Sequence, residues 1–234
     1  MLPRREALSA FHGHHYLRHN ARRQEHLASL GIPLAGASVL EVGAGIGDHS
    51  HYFVDRGCRM TITDARPENC RLLKERYPLV DVQRLDLEHP VALVSAPFDV
   101  VYCYGTLYHL SRPERAIRFL SESCSGTLLL ETCVSFGDEL IVNPTLENRR
   151  CPSQALSGTG CRPTRPWVMQ ELRKHFEFVY LPVTQPNHEE FPVDWTCPDR
   201  HAAPLSRAVF VASRCRMDNP ALSTELIPRQ RRQP

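Results

Sequence analysis

Apolar runs and amphipathic stretches alternate along the first 136 residues. Ser38–Val42 is a short apolar run that passes straight into Gly43-Ala44-Gly45-Ile46-Gly47, and residues 58–64, 80–86, 98–104 and 126–132 form four more runs. Between them, residues 48–56, 66–76 and 113–122 repeat apolar positions at helical spacing, with Gly57 and Pro78 as stops. Residues 98–104 are apolar on both faces, as a strand buried between two layers must be. Ahead of the first strand, Leu17, Ala21, Leu27 and Leu30 predict one face of a helix over 16–30, closed by Gly31 and Pro33. Strands and helices alternating at this interval predict an α/β fold, with a doubly wound, mostly parallel sheet and helices on both faces.

The pattern lapses after Phe136. Gly, Pro, Asn and Arg fill the chain to Pro166, and a long irregular stretch inside a compact domain is usually functional. Periodicity returns as a helix over 167–175 and a strand over 176–184 with alternating aromatics. A proline-rich loop at 185–204 leads to a last strand over 207–213, beyond which nothing commits to structure.

Composition narrows the class. A chain of 234 residues, 42% hydrophobic and 23% charged, is enough for one domain with a sizeable core and a cap. The formal net charge of +2, with Lys74 and Lys174 the only lysines, lacks the clustered cations that phosphate contacts need. Arginines gather at the two ends, in Arg18, Arg22 and Arg23 and in Arg229, Arg231 and Arg232. No apolar run approaches the ~18 residues of a membrane helix, and residues 1–11 lack a signal-peptide core; the expected location is cytoplasmic. Nine cysteines without a CxxC pair read as reduced, mostly buried thiols.

The most informative stretch is Glu41-Val42-Gly43-Ala44-Gly45-Ile46-Gly47. A strand that ends in glycines and opens a helix lets backbone approach a ligand closely, because no Cβ intrudes. Asp64 closes the second strand, where a carboxylate can accept hydrogen bonds from both hydroxyls of a ribose. The GxGxG spacing departs from the G-x-G-x-x-G of dinucleotide sites. Asp86 ends the third strand, within reach of an adenine amine.

These motifs, from Val39 to Glu131, resemble those of the class I S-adenosylmethionine-dependent methyltransferases. The resemblance implies a seven-stranded sheet whose last two strands form an antiparallel hairpin, and S-adenosylmethionine as cofactor, leaving S-adenosylhomocysteine as product. It also implies cofactor contacts from Glu41, Gly43, Gly45, Asp64, Ala65, Asp86, Leu87 and Tyr104. The domain runs over 1–214: a helical cap at 1–35, a cofactor-binding core at 36–136, a loop-rich substrate cap with strand six at 137–204 and a last strand at 205–214. Residues 215–234 are expected to be a flexible tail.

Ligands of open α/β sheets lie at the carboxyl ends of the strands, so Tyr104-Gly105-Thr106-Leu107-Tyr108-His109 should face the reacting group. His109 is the candidate general base. Tyr16, Tyr108, Arg165, Trp167, His188, Glu189 and Trp195 are the candidate acceptor contacts, since polar and aromatic residues held on proline-rich loops suit a binding surface. His12, His14 and His15 lack a neighbouring carboxylate or cysteine, and no metal is assigned. The 104–109 and 128–134 stretches also resemble the tRNA wobble-uridine carboxymethyltransferases. The function expected is methyl transfer to an oxygen, nitrogen or carboxylate of a small molecule. The alternatives are a tRNA or peptide acceptor, or a catalytically silent cofactor-binding protein. Oligomeric state is not legible.

Overall fold

The computed structural model describes residues 8–234, so the first seven residues of the expected N-terminal cap lie outside the described residues. In chain order the elements are α1 (His14–Ser29), β1 (Ser38–Val42), α2 (Ser50–Val54), β2 (Arg59–Asp64), α3 (Pro67–Arg76), β3 (Asp81–Arg84), β4 (Phe98–Tyr104), α4 (Pro113–Glu122) and β5 (Cys124–Cys133). They continue with β6 (Val142–Leu146), β7 (Thr159–Pro163), α5 (Arg165–Arg173), β8 (Phe178–Pro182), β9 (Thr184–Gln185), β10 (Arg207–Ser213), β11 (Leu222–Ser223) and β12 (Arg231–Arg232).

The main sheet has the order β11-β8-β10-β5-β4-β1-β2-β3. β3, β2, β1, β4 and β5 pair in parallel, and β10 runs antiparallel to both β5 and β8. The sheet therefore has eight strands rather than the expected seven, because β11 adds antiparallel to the outer edge of β8. Consecutive side chains of a strand face opposite ways, and each central strand feeds two cores. Leu40, Val101, Leu128 and Phe210 pack with Ile117, Leu120, Val168 and Leu172 from α4 and α5. Val39, Val100, Leu129 and Val209 pack with Leu27, Leu30, Phe53 and Leu73 on the other side. All nine cysteines are free, five of them wholly buried.

Three expectations differ from what is observed. The irregular stretch after Phe136 holds the β6–β7 hairpin, in which β6 is half-buried or exposed and β7 buries Gly160, Cys161 and Pro163, so neither strand carries an apolar alternation. Helix α1 buries only the second half of the expected apolar face: Leu27 and Leu30 enter the core, while Leu17 is 46% exposed, Ala21 is exposed, and His19, Asn20, Arg23 and His26 are buried instead. The first half departs because α1 lies there over a charged site rather than over the core. The segment expected as a free tail is pinned instead. Gln230 donates to the Pro182 carbonyl at 2.7 Å and accepts from Trp195 Nε1 at 2.8 Å. Arg232 Nη1 donates to the carbonyls of Pro186, His188 and Phe191.

Candidate active site

The turn after β1 is built from glycines for a steric reason. Gly43 and Gly45 have φ of 68° and 59°, the left-handed region that side chains disfavour. A Cβ on Gly43 would stand 2.0 Å from Thr106 Oγ1, and one on Gly45 would stand 2.9 Å from the Phe11 ring. The backbone thus passes along the wall of a cavity of about 460 Å³ at the carboxyl ends of the parallel strands. Asp64, at the end of β2, faces the same cavity and is buried. It accepts from the backbone N–H of Gly45 and of Arg66, both at 2.8 Å, and from Asn69 Nδ2 at 3.1 Å. Burial pushes its carboxyl up to about 6 against those bonds.

Ala65, Asp86, Leu87 and Tyr104 line this cavity with Gly43, Gly45 and Asp64. Glu41 does not. It is buried behind the turn, where Ser50 Oγ donates to it at 2.5 Å and burial raises its carboxyl to about 7. Its position fits holding the loop to α2 rather than touching a ligand.

Tyr16, Tyr108 and His109 line the same cavity. The His109 Nδ1 is hydrogen-bonded to Glu147, which follows β6 and also accepts the Ala155 N–H at 2.8 Å. Burial lowers His109 below the ordinary imidazole value, with the Glu147 bond working against it. Burial alone would raise Glu147, but His109 outweighs it and holds that carboxyl below the ordinary range. The Tyr108 ring lies between two guanidiniums, Arg207 at 4.9 Å and Arg162 at 5.0 Å. Beneath it runs a buried ionic chain. Glu131 takes Arg23 at 2.8 Å and Arg207 at 3.1 Å, and Arg207 Nε donates to Glu190 at 2.7 Å. Glu147, Arg162, Glu190 and Arg207 all line the cavity and were not anticipated. The segment 147–156 borders it as well, and Arg66 reaches across to donate to the carbonyls of Arg149 and Gln154 at 3.0 and 3.1 Å.

The remaining expected acceptor contacts lie elsewhere. Arg165 and Trp195 line a separate cavity, and Trp167 packs against the core on the α4–α5 side. His188 is buried under α1, its ring 5.1 Å from that of His15 and 5.0 Å from that of His19, outside the cavity lining. Glu189 is an exposed partner of Arg18. His15, His188 and Glu189 bring ligand atoms within 4.8 Å of one another, the one such trio among the described residues. The Glu190 N–H donates to His188 Nδ1 at 3.3 Å, which leaves the proton on Nε2. Nε2 is buried without a hydrogen-bond partner and lies 3.7 Å from Glu189, whose other oxygen is held by Arg18. No helix among the described residues is long and apolar enough to cross a membrane.

Comparison with known proteins gives this geometry a context. Residues 39–125 match a family model described as "Methyltransferase domain". A tRNA U34 carboxymethyltransferase of Vibrio campbellii is 34% identical over 116 residues, 46% of this chain and 35% of that protein. A ubiquinone biosynthesis O-methyltransferase of Xylella fastidiosa is 34% identical over 86 residues, 35% of each. The chain thus spans about a third of the length of these curated relatives. Among solved structures, the N-terminal domain of EvdMO1 in the presence of SAH and D-fucose superposes with a TM-score of 0.63 at 20% identity. That match covers 83% of this chain and 82% of that one, and it shows a common fold.

Proposed function

We propose that this chain, a methyltransferase domain by family match and of class I fold, is an S-adenosylmethionine-dependent enzyme that methylates a small molecule, with His109 taking the acceptor's proton. The observation that carries the reading is one cavity lined by the glycine turn, by Asp64 and by the His109–Glu147 pair.

The residues present fit the cofactor. Gly43 and Gly45 leave backbone exposed where a Cβ would obstruct, and Asp64 and Asp86 offer carboxylates to a ribose and an adenine amine. Ala65 and Leu87 flank them. When bound, S-adenosylmethionine supplies an electrophilic methyl group carried on a sulfonium. Tyr16, Tyr104 and Tyr108 give the cavity aromatic faces, which attract a cation without the strong hold of an anion. Glu147 keeps a proton on His109 Nδ1, and Nε2, with no partner among the described residues, is left able to accept one. Since His109 sits below the ordinary imidazole value, it is neutral at pH 7 and ready to act as base.

A small acceptor is favoured by the charges. Of the guanidiniums lining the cavity, Arg207 is matched by Glu131 and Glu190, Arg162 by Glu147 and Arg66 by Glu68 at 3.8 Å, so the lining holds no unanswered cation for a phosphate. The alignment with the Vibrio enzyme supports tRNA as the second reading. Calorimetric titration with S-adenosylhomocysteine, beside NAD, tests the cofactor, and micromolar binding of the former alone is expected. Isotopic methyl transfer to small alcohols, amines and acids, beside bulk tRNA, then tests the acceptor. Labelling of tRNA alone would replace this reading with the second.

Asp64 makes cofactor binding depend on pH. Its carboxyl, raised to about 6, offers both oxygens as charged acceptors to the ribose hydroxyls only when ionised, so affinity is held above pH 7 and weakens as pH falls through 6. A group of this pKa predicts roughly tenfold weaker S-adenosylhomocysteine binding at pH 5 than at pH 7. Asp64→Asn should bind weakly at both values. A wild-type affinity unchanged between them would remove Asp64 from the cofactor site.

A further inference from the structure

A second cavity, of about 410 Å³, lies where the segment after β5, the start of α5 and the C-terminal segment meet, and it shares no lining residue with the first. Its lining includes Phe136, Asp138, Arg165, Trp195, Leu226 and Pro228. Arg165 is only 4% exposed, yet no carboxylate pairs with it among the described residues. Nη2 donates to the Ile227 carbonyl at 2.6 Å, Nε is buried with no partner, and no bond forms at Nη1. The guanidinium lies 4.1 Å over the Trp195 ring, which itself meets Phe136 at 5.1 Å.

A cation this deeply buried is unfavourable unless a counter-charge meets it. Burial lowers Arg165 to about 9, so it stays charged at neutral pH, and Asp138, which is exposed, acts on it only through space. The other buried arginines each have a carboxylate: Arg23 has Glu131, Arg207 has Glu131 and Glu190, and Arg66 has Glu68 at 3.8 Å. Besides Asp138, Ser135 and Thr196, the wall around Arg165 is aromatic, prolyl and aliphatic.

We propose that this cavity is a binding site for a small aromatic carboxylate, its charge on Arg165 and its ring against Phe136 and the neighbouring apolar wall. A single guanidinium with an acidic neighbour suits a monoanion better than a phosphate, whose second charge would meet Asp138. The site is independent of the methyl-transfer reading, because the two cavities have no residue in common.

The test uses benzoate as probe and the emission of Trp195 as signal, in a Trp167→Phe background that leaves one tryptophan. Saturable quenching by benzoate is expected, with benzyl alcohol at least tenfold weaker. Arg165→Gln should weaken benzoate at least tenfold while S-adenosylhomocysteine affinity stays unchanged. Asp138→Asn, at an exposed position that tolerates change, should tighten it several-fold and carries the test should Arg165→Gln fail to fold. Equal response to benzyl alcohol, no saturation, or no tightening in Asp138→Asn would each overturn the proposal. So would a benzoate signal lost in Arg162→Gln and kept in Arg165→Gln, which would put the probe in the first cavity.

Discussion

Glu131→Ala is expected to lower unfolding stability by about 3–5 kcal/mol, the range for stripping one partner from a buried ionic pair. Glu131 has no exposed surface and closes β5 against two arginines from distant parts of the chain, Arg23 of α1 and Arg207 of β10. Both guanidiniums are buried, at 5% and 7% side-chain exposure, so removing the carboxylate leaves Arg207 with Glu190 alone and Arg23 with no carboxylate, only the Asn20 amide oxygen. A domain of this size has only about 5–15 kcal/mol in total, and the variant should therefore unfold at a much lower urea concentration. Adding Arg23→Met should return part of the loss, because one of the stranded charges goes with it. A loss under about 1 kcal/mol would mean that water reaches the network and that α1 is held by Leu27 and Leu30 instead. The same chain of contacts has a functional consequence. Arg23 anchors the helix that brings His15, Tyr16 and His19 to the cavity, so partial unfolding of α1 should reduce turnover before the sheet is lost.

What the sequence makes legible here follows from how local the cause is. The strands that flank Gly43, Asp64 and Tyr104 could be read because apolar runs, glycines and terminal carboxylates lie together in the chain. Asp64, Asp86 and Tyr104 line one cavity because the parallel strands that carry them end on one edge. Glu147 was illegible for the opposite reason. It lies 38 residues beyond His109, in a stretch of Pro, Asn and Arg with no periodicity, and only the hairpin of β6 and β7 folds it back. Arg23, Arg207 and Glu190 read as surface charges, since a pattern of polar positions cannot distinguish solvent from a buried counter-ion. Arg165 and Trp195 were recognised as unusual for a core, and the structure puts them on a cavity, but not the one expected. Loops alone do not say which way they face.

The largest effect on chemistry is expected at His109. Loss of a positioned base costs typically 10²–10⁴ in rate, so His109→Ala should lower kcat by about that range while leaving S-adenosylhomocysteine affinity unchanged, since the proposed cofactor contacts are Gly43, Gly45, Asp64 and Asp86 and not the imidazole. Glu147→Gln separates the base from the group that orients it. The carboxylate raises His109 against the effect of burial. Without it the imidazole loses protons more readily, and the acid limb of the kcat profile should move to lower pH even as kcat falls. A purely structural Glu147 would lower activity and stability together and leave that limb in place. The wild-type profile should be flat through neutral pH and decline on acidification, because the base works only when unprotonated and its pKa lies below the ordinary 6.5. If His109→Ala instead reduced cofactor affinity and turnover by the same factor, the imidazole would be a wall of the cavity. Acceptor deprotonation would then need no protein base, and proximity alone would account for transfer.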